Sequence, residues 1–102
     1  MPPVLHTKIC ELLDIRYPII QTGMGWVAKP ELVAAVSNAG AIGFLAAATI
    51  PPKEVEAEIE KIKALTSKSF GVNFLMDAPG ADVISDAIIR QGVKAAGYNR
   101  AP

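Results

Sequence analysis

The chain has 102 residues, enough for one domain, and 51% of them are hydrophobic, so a packed core is expected rather than disorder. Ten basic residues balance ten acidic ones, which removes any general electrostatic case for nucleic acid or an anionic membrane as partner. The one cysteine, Cys10, cannot close an internal disulfide, which suits a reducing, cytoplasmic setting.

His6, Lys8, Glu11 and Asp14 interrupt the N-terminal region, so no signal peptide is expected. No stretch reaches the ~18 apolar residues of a membrane span. The nearest, residues 39–52, is short and is broken by Gly40, Gly43 and two prolines. Ile9, Leu12 and Leu13 predict a short helix over residues 7–13, suited to cover one end of a larger structure. A first strand is predicted at residues 17–21, with Pro18 at its start, where a missing donor is tolerated. Gln21 either points into the sheet's interior or simply closes the strand. A turn follows with Gly23 and Gly25, Met24 between them and Trp26 after. A buried strand emptying into a Gly-rich loop ahead of a helix presents backbone N–H groups to a ligand.

Pro30 suits a first helical position and Glu31 the positive end of the helix dipole. Leu32, Val33, Val36 and Ala39 form an apolar stripe, and Gly40 a stop. Residues 41–47 are small and apolar, as in a strand buried on both faces, with Gly43 leaving space. Pro51 and Pro52 open the next helix, which carries Val55, Ile59 and Ile62 on one face and Leu65 close by. Its acids precede its lysines, and Glu58–Lys61 and Glu60–Lys63 are spaced as i,i+3 pairs on a solvated outer face. In the strand at residues 70–76, Phe70, Val72 and Phe74 point one way and Gly71, Asn73 and Leu75 the other. The helix at residues 81–91 turns Val83, Ile84, Ala87 and Ile88 inward and stops at Gly92. A last strand is predicted at residues 93–98, then a loop at 99–102.

Strands alternating with helices specify right-handed crossovers and a parallel α/β sheet. Two folds compete. Gly23-Met24-Gly25-Trp26-Val27-Ala28 matches the G-x-G-x-x-A fingerprint of a doubly wound dinucleotide-binding sheet. That fingerprint needs an acid ~20 positions on, and residues 43–49 hold none. Pro30 also starts the helix about a turn late. The alternative is the N-terminal half, about four βα units, of a TIM (β/α)8 barrel, treated as a single partial domain over residues 1–102. Ligands then sit at the C-terminal strand ends: residues 21–25, 46–49 and Asn73.

The blocks PIIQTGMGWVA, AAVSNAGAIGFLA, KSFGVNFLM and GVKAAGY resemble the N-terminal half of the nitronate monooxygenase (2-nitropropane dioxygenase-like) family. The same superfamily contains enoyl-ACP reductases, NADH:quinone reductases and CoA-ester reductases, whose wording the GMGWVA block also resembles. The resemblance implies an FMN-dependent TIM-barrel oxidoreductase that converts alkyl nitronates and O2 to a carbonyl compound and nitrite. Its alternatives are a flavin-dependent enoyl, CoA-ester or quinone reductase and a non-catalytic remnant. It also implies that backbone groups of Thr22, Gly23, Met24 and Gly25, with the Asn73 amide, bind the cofactor. Glycines let the main chain approach a flat ring, and an amide both donates and accepts. The plainer readings are a tight turn for the glycines, a satisfied buried amide for Asn73, and packing for Trp26 and Met24.

The family's phosphate-binding loops and catalytic histidine lie beyond the strands present in these residues. His6 reads as a surface residue and Cys10 as packing, so no catalytic residue is assigned and one His with one Cys builds no metal site. The expectation is a fragment, weak or inactive alone, that takes a small-molecule substrate and associates with itself or with a C-terminal half.

Overall fold

The computed structural model describes residues 6–99. In chain order the elements are α1 (Lys8–Leu13), β1 (Ile20–Gln21), α2 (Pro30–Asn38), β2 (Ile42–Ala46), α3 (Val55–Leu65), β3 (Phe70–Leu75), α4 (Ala81–Arg90) and β4 (Ala95–Asn99). Two 3-10 turns, Ala47–Thr49 and Pro52–Glu54, lead from β2 into α3. The strands form one parallel sheet in the order β1-β2-β3-β4. That order decides between the competing folds. A doubly wound sheet reverses direction, so its fourth strand lies beside its first. Here β4 lies beside β3, as in the steady winding of a barrel.

Register explains the two faces. Leu45 of β2 pairs with Val72 of β3, and both join a core with Val33 of α2, Val55, Ile59 and Ile62 of α3, and Ile84 and Ile88 of α4. Val55, Ile59 and Ile62 are fully buried, each contributing about 1.5–3 kcal/mol of transfer free energy. The other sheet face carries Ile42, Phe44 and Ala95, against which Cys10, Leu13 and Ile15 pack. Ile42 and Ala95 open their strands. The short N-terminal helix therefore covers the N-terminal end of the inner face, but through Cys10 and Leu13; Ile9 and Leu12 of the expected stripe are exposed.

Several local expectations need correcting. The first strand is two residues long. The N–H groups of Arg16 and Tyr17 both bond to Gly40 O, at 2.8 and 2.9 Å, and that of Ile19 bonds to Tyr17 O at 2.8 Å. Those donors are lost to the ladder, and Pro18 has none to give. The buried stripe of α2 is Pro30, Val33, Ala34 and Ser37, while Ala39 is exposed. Small residues win this face because the helix sits directly on the sheet. A Cβ on Gly43 would come within 2.6 Å of Val33 O, and Gly43 N–H donates to Ser37 Oγ at 3.1 Å. Gly43 thus permits close helix–strand packing and leaves no space.

On α3, Leu65 is exposed, as is Val83 on α4. The Glu58–Lys61 pair forms at 3.3 Å. Lys63 turns instead to the C-terminal end of α4, donating to Gln91 O at 2.5 Å and Gln91 Oε1 at 2.8 Å, where a cation complements the dipole. Glu56 accepts from Arg90 at 2.6 Å and from Gln91 at 2.8 Å, so part of the charged face clamps α3 to α4. Gly92 ends α4 with φ 63°, the left-handed stop its position predicts. Asn99 belongs to β4, not to a loop; the rest of the predicted loop, residues 100–102, lies outside the described residues.

Candidate functional site

The loop after β1 crosses the C-terminal ends of β2 and β3. Met24 O accepts from Val27 N at 3.0 Å and Ala28 N at 2.8 Å, and Ala46 N donates to Ala28 O at 3.1 Å. Trp26 N donates to Thr49 Oγ1 at 3.3 Å, and Thr49 Oγ1 donates to Ala46 O at 3.4 Å. Thr49 therefore brackets the loop to the end of β2.

Both loop glycines are required by space. A Cβ on Gly23 would lie 2.9 Å from Asn73 Cβ and 3.0 Å from its Nδ2, and one on Gly25 would lie 2.9 Å from Thr49 Cγ2. The backbone here approaches its neighbours more closely than any side chain allows. Gly23, Gly25 and Asn73 line one cleft of about 160 Å³ with Ala46, Ala48 and Leu75. Three of the five sequence-assigned binding residues thus converge. Thr22 and Met24 are exposed on the flank of the loop and do not line the cleft.

Gln21 pairs with Gly43 and so shares its helix-facing side of the sheet. Its Nε2 donates to Thr22 O and, at 3.2 Å, to Phe44 O. It braces the loop from behind rather than entering the cleft. Trp26, expected to pack, is 75% exposed. Sequence reasoning placed residues 46–49 at the mouth but missed Thr49 as the bracket; only its hydroxyl among three alanines hinted at that.

The residues lining the cleft carry no titratable side chain. His6 is exposed near α1 and Cys10 is buried there, at the other end of the sheet. The cleft offers small-residue walls, main-chain groups and one amide. Among the described residues none hydrogen-bonds the Asn73 amide, so its donor and acceptor are available. These features fit the rim of a flat heteroaromatic ring such as flavin. A larger cavity of about 370 Å³, lined by Asp14, Arg16, Asn38, Gly40 and Lys68 among others, lies at the N-terminal strand ends. Parallel barrels bind ligands at the opposite end, so the smaller cleft is the candidate site. No group of three or more His, Cys, Asp or Glu among the described residues is placed to hold a metal, and no described helix is long and apolar enough to cross a membrane.

A steadily wound parallel sheet, with helices on its outer face and a small-residue cleft at the C-terminal strand ends, defines the opening half of a (β/α)8 barrel. The nitronate monooxygenase family model matches residues 6–99, and the chain belongs to that family. It thereby joins a superfamily of flavin oxidoreductases. A (3aS,4S,5R,7aS)-5-hydroxy-7a-methyl-1-oxo-octahydro-1H-indene-4-carboxyl-CoA dehydrogenase of Rhodococcus jostii is 48% identical over 98 residues, covering 96% of this chain and 28% of that protein. A probable nitronate monooxygenase of Staphylococcus haemolyticus is 44% identical over 71 residues, covering 70% of this chain and 20% of that one. The structure of FabK from Thermotoga maritima superposes with a TM-score of 0.88 at 33% identity, covering 91% of this chain and 30% of that one. Nitroalkane oxidase from Streptomyces ansochromogenes gives 0.78 at 26% identity, covering 90% and 36%. The chain spans less than a third of the length of these curated relatives.

Proposed function

We propose that this chain supplies the ring-facing wall of an FMN-dependent oxidoreductase. The observation that carries the reading is the meeting of Gly23, Gly25 and Asn73 in one cleft at the C-terminal strand ends. Bound there, FMN supplies the redox chemistry that no side chain of the cleft possesses. Main-chain groups of Gly23 and Gly25 would face the ring, Thr22 and Met24 would shape the loop beside it without lining the cleft, and the Asn73 amide would fix the ring's orientation by donating and accepting. The described residues lining the cleft carry no titratable side chain, so their part is to bind and orient. The lone buried thiol of Cys10 supports a cytoplasmic setting.

Two substrate classes follow from the relatives. A CoA thioester is favoured, because the relative named as a carboxyl-CoA dehydrogenase matches 96% of the chain at 48% identity. Oxidation of an alkyl nitronate by O2 to a carbonyl compound and nitrite is the second reading, supported by the family and the staphylococcal relative.

FMN titration of the purified chain, followed by absorbance and circular dichroism, tests the reading. Saturable binding that Asn73→Ala weakens is expected. A folded chain that leaves FMN free in solution overturns it. Perturbation of the bound flavin's absorbance by an acyl-CoA, against perturbation by an alkyl nitronate, separates the two substrates by binding alone.

A further inference from the structure

Trp26 sits where tryptophan is least at ease. Its φ is 69°, in the left-handed region where a bulky aromatic is an outlier and glycine would serve. Burial does not compensate, since the side chain is 75% exposed. Neither local conformation nor core packing accounts for an indole at this position, and strained residues held by their surroundings cluster at functional sites. The holding contacts are present: Trp26 N donates to Thr49 Oγ1 at 3.3 Å, and the next two N–H groups converge on Met24 O.

Trp26 walls a second cavity of about 180 Å³ with Ala28, Ala46, Ile50 and Pro51. Ala46, at the end of β2, also lines the cleft of Gly23 and Asn73 and is the residue the two spaces share. The charged lining consists of Glu54 and Glu58 against Lys29 alone. That balance disfavours a phosphate and leaves the aromatic and aliphatic wall to a neutral, apolar group. We propose that Trp26 is a specificity-determining residue: its indole packs on the apolar acyl body of the CoA thioester, while the nucleotide phosphates stay outside this cavity. The proposal rests on the CoA-thioester reading above.

Trp26 is the sole tryptophan of the chain, so its emission reports on this wall alone. Titration with octanoyl-CoA should shift or quench that emission, and coenzyme A without the acyl chain should not. Trp26→Gly should weaken octanoyl-CoA binding about tenfold, equivalent to about 1.4 kcal/mol. Trp26→Phe should keep most of the affinity. Because glycine relieves the left-handed strain, Trp26→Gly should melt no lower than wild type. A chain that binds FMN and octanoyl-CoA with unchanged emission, or a Trp26→Gly variant that melts lower with unchanged affinity, overturns the role of Trp26 and leaves the oxidoreductase reading standing. A folded chain that binds neither FMN nor octanoyl-CoA overturns both.

Discussion

The Cβ that Gly23 lacks would fall 2.9 Å from the Cβ of Asn73. The loop after β1 and the end of β3 therefore touch through the absence of a side chain. Gly23→Ala must push the loop or the amide aside. Overpacking of this kind costs about 1–3 kcal/mol, and we expect a lowered melting temperature together with weaker FMN binding. Asn73→Ala creates no clash. It should melt close to wild type yet lose about tenfold in FMN affinity, the worth of one hydrogen bond. Equal losses of stability in both variants would mean that Asn73 serves the fold alone.

Two strand glycines meet different neighbours, and this yields a contrast. A Cβ on Gly71 would lie 2.5 Å from the ring of Phe44, a side chain, whereas one on Gly43 would lie 2.6 Å from the backbone oxygen of Val33. Each alanine variant should destabilise by about 1–3 kcal/mol or more. Phe44→Ala opens the space above Gly71, so Gly71→Ala with Phe44→Ala should be less destabilised than the sum of the two changes. Trimming Val33 should not rescue Gly43→Ala, because the obstacle is main chain. Denaturant melts of Gly71→Ala, Phe44→Ala, Gly43→Ala and Val33→Ala, and of the Gly71/Phe44 and Gly43/Val33 double mutants, check this.

Much of this arrangement is legible in the chain because local signals and fold agree. Pro30, Gly40, Gly92 and the alternation from Phe70 to Leu75 each read correctly, and the missing acid after the second strand already disfavours a dinucleotide sheet. What stays hidden depends on partners distant in sequence. Gly43 reads as empty space until α2 is seen resting on it. The inward face of α2 is chosen by that close approach, not by the largest apolar residues. Lys63 matches Glu60 on paper, but Gln91 lies 28 positions away and closer in space. Trp26 reads as packing because most tryptophans pack; its exposure is a property of the turn that carries it.

The α3–α4 clamp gives a pH dependence. The hydrogen bond from Arg90, and then that from Gln91, holds the Glu56 carboxyl below its ordinary value of 4.5. A carboxylate whose pKa is depressed by folding stabilises the fold above its unfolded value, and that stabilisation is lost as the pH falls through the folded one. Stability should therefore decline as the pH drops from about 4.5 downward. Glu56→Gln should be less stable than wild type at neutral pH and converge with it in acid. Arg90 is exposed and Glu56 half-buried, so added salt should shrink the difference. Thermal melts across pH at two salt concentrations measure it.

The sheet ends in strands that pair on one side among the described residues. β1 pairs with β2 and β4 with β3, and Ile19, Ile20 and Tyr98 are exposed there. Unpaired strand edges bearing apolar side chains are templates for further pairing. We propose that the chain self-associates through these edges. Sedimentation velocity should show the apparent mass rising with concentration. Ile20→Lys, which sets a charge on the β1 edge, should shift the chain toward monomer; a monomer at every concentration would refute the proposal.

The bracket between Gly25 and Thr49 is the strongest test of the loop itself. A Cβ on Gly25 would meet Thr49 Cγ2 at 2.9 Å, while Thr49 Oγ1 accepts from Trp26 N. The methyl and the hydroxyl thus have separate duties. Threonine is stiff about χ1, so its methyl cannot swing away without moving the hydroxyl. Gly25→Ala alone should break the bracket, destabilising by about 1–3 kcal/mol and loosening FMN. Thr49→Ser removes the methyl and keeps the hydroxyl, so it should be nearly silent alone and should restore most of both losses in Gly25→Ala. Thr49→Val keeps the bulk and deletes the acceptor; it should cost about 0.5–1.5 kcal/mol and rescue nothing. If Thr49→Ser and Thr49→Val behave alike when combined with Gly25→Ala, the loop is not held by this contact, and the close approach of Gly25 has another cause.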